Sequence, residues 1–178
     1  MSLLFPRSPA LGFTYLNEGE NPDAALPFFL ELIELLREGY VPDDPNIFER
    51  VLFYTGDVYF DKGDFSTAAP YFEVALAMRR RTSSCPASDI GIAQFTLSLG
   101  RANFRLGMER LEEGRGREYL QEALALFEES LAVRRAQVPS DPSRICEVLQ
   151  NVAAASGNLG LHQKAMPCLK VMEAGGLV

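Results

Sequence analysis

The stretch AAPYFEVALAMRRR at residues 68–81 returns further along the chain as ALALFEESLAVRRA at residues 123–136. Each reads alanine, three residues, phenylalanine, then a small residue and leucine, then two arginines. Aligned on the alanine, the pattern occurs four times, as Ala25 with Phe29, Ala68 with Phe72, Ala123 with Phe127 and Ala165 with Leu169. The steps from 25 to 68, 68 to 123 and 123 to 165 are 43, 55 and 42 residues, so the middle interval carries an insertion of about a dozen. Arg37, Arg80 and Arg135 each stand twelve residues after their alanine, and Pro27, Pro70 and Pro167 stand two after theirs. A unit repeated at this spacing cannot bury its apolar face alone, and stacked neighbours do it together.

A second helix precedes each copy. Leu52, Thr55, Gly56 and Tyr59 fall at spacings of three and four, one face of a helix, with Gly63 to stop it and Asp64 to cap the next. Thr96, Leu99, Gly100, Asn103 and Gly107 fill the equivalent slots in the next unit, and Leu149, Val152, Ala153, Ser156 and Gly160 in the last. Small residues at these slots let two helices approach closely, and the recurring alanine at 68 marks the other side of the crossing near Gly56. Helices are expected near 23–38, 45–62, 65–82, 86–113, 117–137, 142–158 and 162–174, with a degenerate first helix at 8–18. Pro45, Pro86 and Pro142 are placed to open three of them. MERLEEGRGRE at 108–118 is the insertion, expected to lengthen both flanking helices and reverse at Gly114 or Gly116 as a solvated hairpin.

The pattern L-x-x-T-G-x-x-Y followed by A-x-x-x-F resembles the tetratricopeptide signature with leucine in place of tryptophan. The longer period, the helix-opening proline, the Ala-x-Pro start and the Ala-Met-Arg-Arg or Ala-Val-Arg-Arg end look like the long repeats of kinesin light chains and their bacterial relatives. That resemblance covers roughly residues 20–174. It implies an all-α fold of antiparallel helix pairs stacked as a right-handed superhelix, a solenoid. The chain is read as a single domain over 1–178, with a partial leading repeat at 8–38 and repeats at about 45–82, 86–137 and 142–174. No heptad coiled coil accompanies the repeats, so attachment to a motor is not implied.

Composition bounds the rest. With 47% hydrophobic and 23% charged residues, the chain reads as a compact soluble protein. Its net charge of −7 would repel a phosphate backbone, which argues against nucleic acid as partner. Cys85, Cys146 and Cys168 lie far apart with no C-x-x-C spacing, so neither a disulfide framework nor a zinc site is encoded. No apolar run suits a signal peptide or membrane span, and a cytoplasmic protein with reduced thiols is expected. There is no glycine-rich phosphate loop, and no cofactor or metal is expected. His162, the one histidine, falls at a helix start and is read as exposed. Asp43-Asp44-Pro45 reads as helix-start chemistry, and Arg79, Arg80 and Arg81 as cations favoured in a last helical turn. An enzyme is therefore not expected.

Binding is. In tetratricopeptide proteins the first helix of each pair lines a concave groove, on a face about one residue round from the packing face. Here that face is Arg50, Phe53, Asp57, Phe60 and Asp61 in one unit and Gln94, Leu97, Arg101, Phe104 and Arg105 in the next. The last unit supplies Glu147, Gln150, Ala154, Gly157 and Asn158. The aromatic and apolar residues either contact a ligand or pack between repeats. Asp57 with Arg101 and Asp61 with Arg105 either neutralise each other or leave the arginines to hold an acidic peptide. Asn103 and Asn151 fall off this stripe, so the carboxylate clamp of co-chaperone domains is not carried over. The expected partner is another protein or peptide held in the groove. The alternative is an assembly subunit that associates with itself or a larger complex through the C-terminal end, residues 162–178.

Overall fold

In the computed structural model, residues 22–39, 46–137 and 141–174 are described, side chains from 24 to 170. They form seven α-helices and no strand: α1 Pro22–Arg37, α2 Ile47–Asp61, α3 Phe65–Thr82, α4 Ile90–Glu109, α5 Gly116–Arg135, α6 Pro142–Asn158 and α7 His162–Ala174. The expected helix at 8–18 and the helix-opening role of Pro45 lie outside the described residues. Two compact units divide the chain, residues 1–75 and 76–178, and the division falls within α3.

Helix ends follow from local chemistry. After α2, Gly63 takes φ +81° while its N–H bonds the Phe60 carbonyl and the Asp64 N–H bonds that of Tyr59. Gly160 repeats the motif after α6 at φ +75°, with the Leu161 N–H on the Ser156 carbonyl. Only glycine takes this left-handed turn without strain, which satisfies carbonyls the helix leaves over. Asp64 accepts the Thr67 N–H at 3.0 Å and caps α3, as expected. Pro142 opens α6 as the sequence suggests, with Asp141 accepting the Ser143 N–H at 3.0 Å. Pro86 differs. It opens a short 3-10 turn, Pro86–Ser88, and α4 starts only at Ile90, because Asp89 accepts the Gly91 N–H at 2.8 Å and that of Ile92 at 3.3 Å.

In the first unit, α1 packs on α2, and aromatic rings join the helices: Phe29 stacks near Tyr54, and Phe53 lies tilted on Phe72 at 5.5 Å. The Phe72 ring sits where a Cβ on Gly56 would fall, 2.7 Å from Cε1. In the second unit Phe127 does the same to Gly100, also at 2.7 Å. The recurring spacing thus encodes a phenylalanine laid across a glycine, with Ala68 and Ala123 fully buried beside it. Ala69, which the register leaves outside the small-residue slot, is buried too.

The core of the second unit runs through Leu120, Leu124, Phe127 and Leu131 of α5 and Val148, Leu149 and Val152 of α6. A buried Ser130 hydroxyl donates to the Ala93 carbonyl at 2.6 Å and pins α5 to α4. The insertion is a short reversal: α4 ends at Glu109, the chain turns over 110–114, and Gly116 starts α5. Gly116 is wedged so tightly on Gly107 that a Cβ there would overlap the Gly107 carbonyl oxygen. Arg110 Nη1 donates to the Tyr119 hydroxyl at 2.8 Å with its guanidinium 5.2 Å from that ring centroid. The hairpin is therefore built at its base and open at its tip.

Candidate functional site

The stripe on α2 belongs to the first unit. Arg50 and Asp61 are exposed, and Asp57 and Phe60 are half-buried, Phe60 meeting Phe65 edge-on at 5.1 Å. Phe53 is only 4% exposed and packs on Tyr54 and Phe72. It is a core residue, which corrects its expected place in an open groove.

In the second unit α4 and α6 touch over a short contact, and each carries one of the expected stripes. Gln94, Arg101 and Arg105 are exposed along α4, and Phe104 is half-buried on the core formed by α5 and α6. Leu97 is 5% exposed and part of that core, a second correction. On α6, Glu147 is half-buried and accepts Arg144 Nη1 at 3.2 Å, while Gln150, Ala154, Gly157 and Asn158 are exposed. The Asn151 and Asn158 amides turn back to the Glu147 and Ala154 carbonyls of their own helix. The stripe on α4 is polar and partly cationic beside the half-buried Phe104, and the stripe on α6 carries exposed small residues. Such a face can hydrogen-bond and lie close to a polypeptide. The expected pairs Asp57–Arg101 and Asp61–Arg105 would run between the two units and remain expectations.

The arginines at the ends of the second helices serve the structure. Arg79 Nε donates to both Asp89 oxygens at 3.0 Å, and Arg80 donates to Glu129 at 2.6 Å. Burial alone would raise the Asp89 carboxyl, but hydrogen bonds from Ser83, Arg79 and the Ile92 N–H outweigh it and hold the group below the usual carboxylate range. Arg134, in the slot of Arg79, is buried with its Nε unpartnered, and burial pushes its guanidinium down. Sequence reading missed these roles and also a cleft of about 520 Å³ in the first unit, walled by Ile33, Phe48, Leu52, Tyr71 and Val74. There burial, then the neighbouring Tyr59, pushes the Tyr71 phenol up. Among the described residues no group of three or more histidine, cysteine, aspartate or glutamate side chains is placed to hold a metal, and the three cysteines are unbridged. No described helix is long and apolar enough to cross a membrane.

No protein-family model matches the sequence, and no curated protein does. Solved structures do. A candidate kinesin light chain of Podosopora anserina with nearly identical TPR-like repeats aligns at a TM-score of 0.66 and 18% identity, covering 93% of this chain and 72% of that one. A single-residue variant of the same protein aligns at 0.67 and 18% identity, covering 93% of this chain and 71% of the variant. The fold is a tetratricopeptide-like helical repeat. BtubC (BKLC) of P. vanneervenii aligns at 17% identity over 92% of this chain and 76% of its own, but at a TM-score of 0.38 it adds nothing to the tetratricopeptide-like assignment.

Proposed function

We propose that this chain is a non-catalytic interaction module of the cytoplasm that holds a segment of a partner protein against the stripes of α4 and α6. The observation that carries this reading is the make-up of those stripes. Gln94, Arg101, Arg105 and Gln150 present polar groups around the half-buried Phe104 ring, beside the exposed small residues Ala154 and Gly157. Helix packing explains the burial of Leu97 and Phe53, and it leaves part of the Phe104 ring exposed beside arginines and amides. A segment in extended form would place apolar side chains on Phe104 and acidic groups near Arg101 and Arg105. The test is recovery of a stoichiometric partner by affinity capture from native cytosol, compared with Phe104→Ala. Loss of the partner with unchanged melting supports the face, and undiminished recovery overturns it.

A second reading, an assembly subunit docking through its last helix, is favoured by the exposure of Leu161, Met166 and Leu169. It predicts that Phe104→Ala leaves assembly intact.

A further inference from the structure

Arg80 and Glu129 fill slots of the repeat that recur in the first unit. Arg37 stands 43 residues before Arg80, and Val74 stands 55 residues before Glu129. In the second unit the two side chains meet, Arg80 Nη2 donating to both Glu129 oxygens at 2.7 and 2.6 Å, and the bond runs from the end of α3 to α5. In the first unit the slot of that carboxylate holds a valine. Val74 is 48% exposed, and Arg37 turns back to Glu34 of its own helix at 2.8 Å, with both side chains 65% exposed. An exposed pair one turn apart contributes little, and a guanidinium with five donors keeps others for a further acceptor.

Arg37 and Val74 both line the cleft of about 520 Å³ in this unit. The buried Ile33 and Leu52 are its floor, and Pro70 and Val74 add exposed apolar surface along α3. Tyr71 completes the wall. Its ring lies within 5° of parallel to that of Tyr59, 5.8 Å between centroids, and its phenol is within electrostatic reach of Arg37 and Glu34. Among the described residues the Tyr71 hydroxyl meets no hydrogen-bond partner. A mostly apolar cavity of this size with a few convergent polar groups has the make-up of a small-molecule site. We infer that the cleft binds a small organic carboxylate with an apolar body, whose carboxylate sits on Arg37 as that of Glu129 sits on Arg80. The Tyr71 hydroxyl donates to the same group, and the apolar body lies on Ile33, Leu52 and Val74. The internal repeat thus supplies the charge of the ligand, and the lining supplies the character of the rest.

This inference does not depend on the stripes of α4 and α6. Its test uses the whole protein with 4-phenylbutanoate as probe and 4-phenylbutanamide, the same body without the charge, as control, each titrated by two-dimensional NMR. Saturable binding of the acid is expected, with a Kd on the order of 1 mM or tighter, and the largest shifts at residues 33–37 and 70–74. The amide should bind at least about fivefold more weakly, and Arg37→Gln should weaken the acid by a similar factor without changing the melting temperature. Val74→Glu restores in the first unit the pair that Arg80 and Glu129 make in the second, so it should abolish binding with the melting temperature unchanged or raised. Phe104→Ala is expected to leave binding unchanged, which separates failure here from failure of the interaction reading. Equal binding of acid and amide overturns the inference. So does binding that survives Val74→Glu, or no binding to the wild type.

Discussion

The apolar residues at matching positions of α5 and α7 are alike in kind and unlike in fate. Leucine and phenylalanine on α5 are buried in the core that α4 and α6 share with it, while methionine and leucine at the same positions of α7 are exposed. Local sequence therefore decides that a second helix forms and which stripe is apolar; the next helix decides whether that stripe is core. In an array whose stability is a sum of repeat terms and neighbour interfaces, the difference in cover should be measurable residue by residue.

The largest contrast is expected at the phenylalanine slot. Phe127→Ala removes a fully buried ring and should cost about 3–5 kcal/mol, whereas Leu169→Ala should cost less than about 1 kcal/mol. Urea denaturation of the two variants checks this, and equal costs would break the comparison. Next comes the glycine beneath the ring. Gly100→Ala places a methyl 2.7 Å from the Phe127 ring, which is held on all sides, so a loss of about 1–3 kcal/mol is expected. Gly157, on α6, has nothing within 4 Å of the point where a methyl group would fall, and Gly157→Ala should stabilise by about 0.5–1 kcal/mol. If a partner lies close along α6, the same substitution should weaken its capture while raising the melting temperature.

The link between α3 and α4 is expected to be intermediate. Asp89→Ala removes both the α4 cap and the acceptor of Arg79, and should cost about 1–2 kcal/mol at neutral pH. Because the folded pKa lies below the unfolded one, near 4, this contribution is present above the unfolded value and is lost as pH falls through the folded value. Denaturation between pH 7 and pH 3 should therefore show the wild type and Asp89→Ala converging in acid. A constant gap would show that the carboxylate's charge does not matter. The smallest effect is assigned to Met166→Ala, within about 0.5 kcal/mol, since half of that side chain is already in water.

Much of this architecture was legible in the residues. Gly56 and Gly100 announced close approaches, and Ala68 and Ala123 announced crossings, because only a small side chain recurs where backbones meet. The occupant of the space was less legible: the A-x-x-x-F spacing places the phenylalanine one turn beyond the alanine, and the ring rather than the alanine covers the glycine. The candidate groove was legible only in part. A helical stripe one residue round from the packing face grades into it, so periodicity alone could not assign Phe53 and Leu97, which pack inward, apart from Phe104 and Gln94, which do not. Pro86 misled for a specific reason: proline fits a 3-10 turn as well as a first helical turn, and Asp89 held the stronger claim to the cap. The partner of Arg79 was hidden because that contact closes across a turn whose path no periodicity describes.

The uncovered face of α7 also bears on synthesis. At roughly 5–20 residues per second the ribosome needs about one to three seconds to add the 17 residues of α6, and for that interval α5 stands with Leu124 and Phe127 uncovered. Until α6 is made, the apolar residues it will cover face water as Met166 and Leu169 do on α7.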